Sequence, residues 1–91
     1  MNVRVTEDAA GDLENIKTYI GREDGVAADR VIEQIRGVIQ VLAEWPHLGH
    51  DRIVEGTYER TVPRTTYVIV YRLDLRAGSG FLHRALSRIS A

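Results

Sequence analysis

No cysteine occurs in the 91 residues of this chain. That excludes a disulfide framework, a thiolate nucleophile and a cysteine-ligated zinc site. Lysine is nearly missing as well: Lys17 is the only one, so the basic charge is carried by arginine. No apolar run approaches the length of a membrane span, and the opening residues do not read as a signal peptide. The expectation is therefore a soluble, cytoplasmic protein, and the length predicts one domain, 1–91. A phosphate-binding glycine loop, a GxSxG elbow and an HExxH helix are all missing, so the common catalytic patterns do not apply.

What is present is organised around Tyr58–Leu73. From Thr66 to Leu73 the residues are β-branched or aromatic with almost no polar break. Such a run predicts a central strand covered on both faces. Pro63 cannot donate a ladder hydrogen bond, so it ends the preceding strand, Tyr58–Val62, and the two runs form an antiparallel pair around Pro63–Thr65. Arg60, Arg64 and Arg72 punctuate the pair, which points to an anionic or carboxylate-rich partner. The net charge of −1 conceals an asymmetry. Up to Trp45, nine acids face five bases; from Pro46 onward, four face seven. The second half is thus basic and suited to steering an acidic partner, but the pI of about 6.3 is far below that of a nucleic-acid binder.

Around this centre the other elements fall into place. Asn2–Val5 alternates as a short strand, at an edge or paired with a distant strand. Thr6 followed by Glu7 and Asp8 is a helix start, with a hydroxyl cap and carboxylates at the positive end of the dipole. Ala9, Leu13, Ile16 and Ile20 then mark one helix face, which ends at Gly21–Gly25. Asp24 caps a longer helix running to about Glu44, with a stripe from Ala28 through Ile35 to Leu42. Gly37 lies inside it, at a cost of about 1 kcal/mol relative to alanine unless a neighbouring helix approaches closely. Trp45–His50 reads as a loop, Arg52–Val54 as a short strand, Arg76–Gly80 as a hairpin turn and Phe81–Ile89 as the last strand. The order β-α-α-β-β-β-β gives a two-layer α+β sandwich, with an N-terminal helical hairpin packed on an antiparallel-rich sheet. The far face of that sheet is expected to stay partly open and to carry much of the arginine.

Chemistry is harder to locate. His47, His50 and Asp51 share a loop, but their spacing suits no common metal site, so no metal and no cofactor are expected. Asp8, Asp12 and Glu14 read as a solvated helix face. His83 and Arg84 with Arg60 or Arg72 could in principle serve RNA cleavage, as base and phosphate stabiliser. Strand alternation sends His83 and Arg84 to opposite faces, which favours a structural reading of His83. Tyr58, Tyr67 and Tyr71 read as packing residues rather than base-stacking ones.

Several segments, in order, carry a resemblance. They are Asp12-Leu13-Glu14-Asn15-Ile16 with Tyr19-Ile20, Ala27-Ala28-Asp29-Arg30-Val31-Ile32 and Pro46-His47-Leu48-Gly49. Gly56-Thr57-Tyr58-Glu59-Arg60 and Tyr67-Val68-Ile69-Val70-Tyr71-Arg72 complete the set. Together they resemble the RelE/ParE superfamily of bacterial toxins, specifically the ParE-type branch of plasmid-stabilisation proteins. The resemblance implies the toxin component of a type II toxin–antitoxin system, without enzymatic activity of its own. Its implied partner is a small antitoxin with a DNA-binding domain and a tail that folds onto the toxin, and its implied target is DNA gyrase. The alternatives are a RelE-type ribosome-dependent messenger RNA endoribonuclease and an inert antitoxin-binding relative. Two departures from the ribonuclease pattern favour the ParE branch: Val68 stands where those members carry a basic residue, and Ser87 where many carry histidine. Arg60, Arg64, Arg72, Arg84 and Arg88 are the expected anchors for antitoxin or target, and His83 is the minority catalytic candidate.

Overall fold

In the computed structural model, residues 2–45, 50–51, 57–74 and 76–87 are described. Strand β1, Asn2–Val5, leads into helix α1, Glu7–Gly21, and helix α2, Gly25–Glu44. Strands β2 (His50–Asp51), β3 (Thr57–Thr61), β4 (Tyr67–Asp74) and β5 (Ser79–Ser87) follow. They form one sheet in the order β1-β5-β4-β3-β2, with β1 parallel to β5 and the remaining pairs antiparallel. The α+β architecture is the expected one. The two residues of β2 pair with Tyr58 and Glu59. His50 was expected in a loop, and the difference has a simple cause: an edge strand can form from two backbone pairings, too few to leave a periodic signal. The strand expected at Arg52–Val54 lies outside the described residues.

Both helix starts follow from their caps. The Thr6 hydroxyl accepts the Ala9 amide at 3.1 Å, and the Asp24 carboxylate accepts the Ala27 amide at 3.0 Å. Three residues join the helices into a hairpin. Its apolar stripe, including Ala9, Ile16, Ile35 and Leu42, packs on Ile69, Tyr71, Leu82 and Ala85 of the central strands. In β4, Val68, Ile69, Val70 and Tyr71 are all buried, so the continuous apolar run does mark the covered centre of the sheet. Tyr58 and Tyr71, opposite one another on β3 and β4, stack with ring centroids 5.5 Å apart. That bears out their reading as packing residues.

The β3–β4 turn is built without glycine. Pro63 occupies its second position, Arg64 adopts φ 61°, and the Thr65 amide reaches the Val62 carbonyl at 3.2 Å. A positive φ there is the requirement of a type II turn. In the β4–β5 turn Gly78 has the same φ of 61°, as its glycine composition predicted. Gly37 answers to no close approach, since a Cβ built on it would meet nothing within 4 Å.

Candidate functional site

The parallel strand β1 covers β5 only from Ser79 to Leu82. Beyond that point the edge of β5 must be satisfied otherwise, and the start of α1 does it. The Thr6 amide donates to the Leu82 carbonyl at 3.1 Å, and the Thr6 hydroxyl donates to the His83 carbonyl at 3.2 Å. One turn and a half later, Asp12 Oδ2 accepts the Ala85 amide at 3.0 Å. The same carboxylate takes a two-pronged contact from Arg84, Nε to Oδ2 at 2.7 Å and Nη2 to Oδ1 at 3.0 Å. The fork geometry matches a carboxylate in both prongs. Asp12 is largely buried beneath it, with 12 % of its side chain exposed, against 42 % for Arg84.

The charges respond accordingly. The Arg84 hydrogen bonds hold the Asp12 carboxyl below the usual range; burial works against this and the Ala85 amide adds to it. Arg84 is raised in turn, chiefly by its hydrogen bond to Asp12. Asp12 was expected on a solvated helix face, and this is a correction. It sits three residues after Ala9 and four before Ile16, at the margin of the buried stripe. That spacing carried the signal, because a carboxylate bordering a buried stripe needs a partner.

Next to this seam, α1 and the far ends of β4 and β5 enclose an open groove of about 540 Å³. Ile16, Tyr19, Tyr67 and Leu86 give it apolar walls, with Asn15 and Ser87 as polar groups. Tyr19 is 70 % exposed, while burial together with Tyr19 nearby pushes the Tyr67 phenol up. The groove offers shape and apolar contact rather than a set of reacting groups. Among the described residues, no three acids or histidines are grouped to hold a metal ion.

The remaining arginines are dispersed. Arg60 lies opposite Ile69 and therefore on the helix-facing side, where it is half-buried. Arg72 lies opposite Thr57 and Phe81 on the other face, exposed. Arg64 is exposed in the β3–β4 turn, and Arg88 lies outside the described residues. The expectation that the open face carries much of the arginine thus holds for Arg72 and fails for Arg60. Arg60 shares its face with Tyr58, two residues away, whose half-buried ring packs against the core.

His83 is the extra residue of a β-bulge: Val70 pairs with Arg84 and Tyr71 with Leu82. The simple alternation expected across His83 and Arg84 is broken there. The imidazole is exposed and makes no hydrogen bond among the described residues, while Arg84 turns to Asp12. Val68 is 6 % exposed and packed in β4.

Residues 3–85 match the family model described as the ParE toxin of the type II toxin–antitoxin system parDE. A Sinorhizobium fredii protein named "Putative toxin Y4kP" is 34 % identical over 72 residues, which span 79 % of this chain and 75 % of the relative. Among solved structures, the chromosomal ParDE system of P. aeruginosa superimposes with a TM-score of 0.83 at 20 % identity, covering 96 % of this chain and 95 % of that one. The isolated RelE toxin of E. coli gives 0.73 at 16 % identity, covering 99 % and 86 %. The RelBE2 toxin–antitoxin complex of Mycobacterium tuberculosis gives 0.64 at 27 %, covering 96 % of each chain.

Proposed function

This chain belongs to the ParE toxin family of type II toxin–antitoxin systems, and we propose that, when free of its cognate antitoxin, it inhibits DNA gyrase. The observation that carries the reading is the ParE match over residues 3–85, which takes in both helices and nearly all of the sheet. The antitoxin is a small protein with a DNA-binding domain and a tail that folds on this surface, the whole assembly being cytoplasmic. An apolar groove walled by Ile16, Tyr19, Tyr67 and Leu86 suits such a tail, because a segment that orders on binding must bury apolar area to offset its lost entropy.

Arg60, Arg64, Arg72 and Arg88 serve as ionic anchors for antitoxin or target. Arg84 contributes by holding α1 against β5, so that the groove keeps its walls. The chain is not an enzyme in this reading. RelE-type endoribonuclease activity is the second reading, since the fold also matches a RelE toxin. Three features argue against it: the apolar, buried Val68, the isolated His83 and the engagement of Arg84 with Asp12. A decayed, inert member would keep the antitoxin and lose the target.

Expression of the chain alone is expected to arrest growth, and co-expression of the cognate antitoxin to restore it. Reversal of charge at Arg60 and Arg72 together is expected to weaken that rescue. Undisturbed growth on expression of folded chain would speak for the inert reading, and wild-type antitoxin affinity in the double reversal would remove these anchors from the account.

A further inference from the structure

The pairing register places three side chains in one row on the sheet face away from the helices. Arg4 of β1 lies opposite Phe81 of β5, and Phe81 lies opposite Arg72 of β4. Their neighbours Val5, Leu82 and Tyr71 turn to the helix side, where Leu82 and Tyr71 enter the core. Alternation then sets Arg4, Phe81 and Arg72 on the opposite face. Both arginines are exposed, Phe81 is half-buried between them, and neither guanidinium has an ion-pair or hydrogen-bond partner among the described residues. The acid nearest along β4 on this face, Asp74, directs Oδ1 to the Ala77 amide at 3.2 Å. The row therefore presents cation, apolar ring and cation.

We propose that this row docks an acidic amphipathic helix of the cognate antitoxin, which presents two carboxylates seven residues apart with an apolar side chain between them. The inference rests on the reading of the chain as the toxin of a toxin–antitoxin pair. The spacing selects the helix. Arg4 and Arg72 stand two strands apart, about 9.6 Å at ordinary strand separation. Seven residues of α-helix rise about 10.5 Å and return to the same face, with the third or fourth residue between them. Same-face residues of an extended peptide fall at about 6.8 or 13.6 Å, and neither matches. Charge favours a protein over nucleic acid, because an overall net charge of −1 and a pI near 6.3 give no long-range attraction for a polyanion. The row lies on the opposite sheet face from the core that α1 covers, so it is a surface separate from the groove beside α1 and Tyr67. An antitoxin engaging both would wrap around the end of the sheet.

The test is antitoxin affinity by titration calorimetry with the full chain, at low and high salt. The double variant Arg4→Glu with Arg72→Glu is expected to lose about 100-fold in affinity, as desolvated charge pairs at interfaces do. Phe81→Ser is expected to lose about tenfold. Arg4→Gln with Arg72→Gln, which adds no repulsion, is expected to lose affinity and flatten the salt dependence. Restoration of the charge-reversed double by reversing two antitoxin acids seven residues apart would establish the pairing. Unchanged antitoxin affinity in both doubles, with the wild-type chain binding normally, would overturn the row while leaving the toxin–antitoxin reading intact. A wild-type chain that fails to bind its antitoxin would overturn that reading first. Binding of a single-stranded oligonucleotide that depends on Arg4 and Arg72, with the antitoxin unaffected, would assign the row to nucleic acid instead.

Discussion

Two arginine-bearing regions of this molecule use the same side chain in opposite ways. At the α1–β5 seam, Arg84 spends its charge inside the protein, on Asp12 at 2.7 Å. On the open sheet face, Arg4 and Arg72 keep theirs for solvent or a partner. The difference comes from what each edge lacks. Beyond Leu82, β5 has no parallel strand to satisfy it, so α1 supplies an oxygen to the Ala85 amide, and a buried carboxylate then requires a cation. Arg72 sits on β4, whose backbone is paired on both sides, and Arg4 on the edge strand β1; neither side chain answers an internal demand. An arginine count therefore overstates the binding surface by those that hold the fold.

The largest expected effect that separates the regions is Asp12→Asn. It removes the charge facing Arg84 and one acceptor from the seam, and should lower unfolding free energy by about 1–2 kcal/mol in urea titrations, the half-exposed Arg84 moderating the loss. The same substitution should change the pH profile. The Asp12 carboxyl is held low in the folded state, so its contribution is present in full above the unfolded carboxylate pKa of about 3.9 and fades as pH falls through the folded value. Stability of the wild type should therefore drop more steeply on acidification than that of Asp12→Asn. Parallel profiles would mean that the pair is not a feature of the molecule in solution.

Smaller changes away from both regions set the baseline. Gly37→Ala, with open space around the added methyl, should raise stability by up to about 1 kcal/mol in the same titrations and leave antitoxin affinity alone. Arg64→Gly relieves a left-handed residue in the β3–β4 turn and should be neutral to stabilising, by about 1 kcal/mol at most. If it also weakens antitoxin binding, Arg64 belongs with the outward arginines. The smallest effect on stability is expected for Arg4→Gln with Arg72→Gln: melting temperatures should coincide with the wild type while affinity falls. A lowered melting point there would erase the contrast between the two regions.

The sequence made the architecture legible because its signals were strong and local: the caps at Thr6 and Asp24, the stripe from Ala28 to Leu42, and the unbroken run that became β4. Pairing partners were less legible. That Asn2–Val5 lies parallel to the last strand depends on contacts across nearly the whole chain, and no periodicity reports them. The candidate site was half legible. Arg84 is legible as a candidate beside His83 and among the anchoring arginines, but its contact with Asp12 on α1 is not, because the bulge at His83 breaks the period of two. The row of Arg4, Phe81 and Arg72 is not legible in the sequence, because it exists only in the register by which β1 and β4 flank β5.

The central claim is most directly tested by a gyrase supercoiling and cleavage assay with the purified, antitoxin-free chain, run beside an in vitro translation reaction. The account predicts lost supercoiling with trapped, cleaved DNA, while translation proceeds with intact messenger RNA. Normal supercoiling together with cleaved messenger RNA on translating ribosomes would contradict it and would make His83 and its neighbours the residues to pursue.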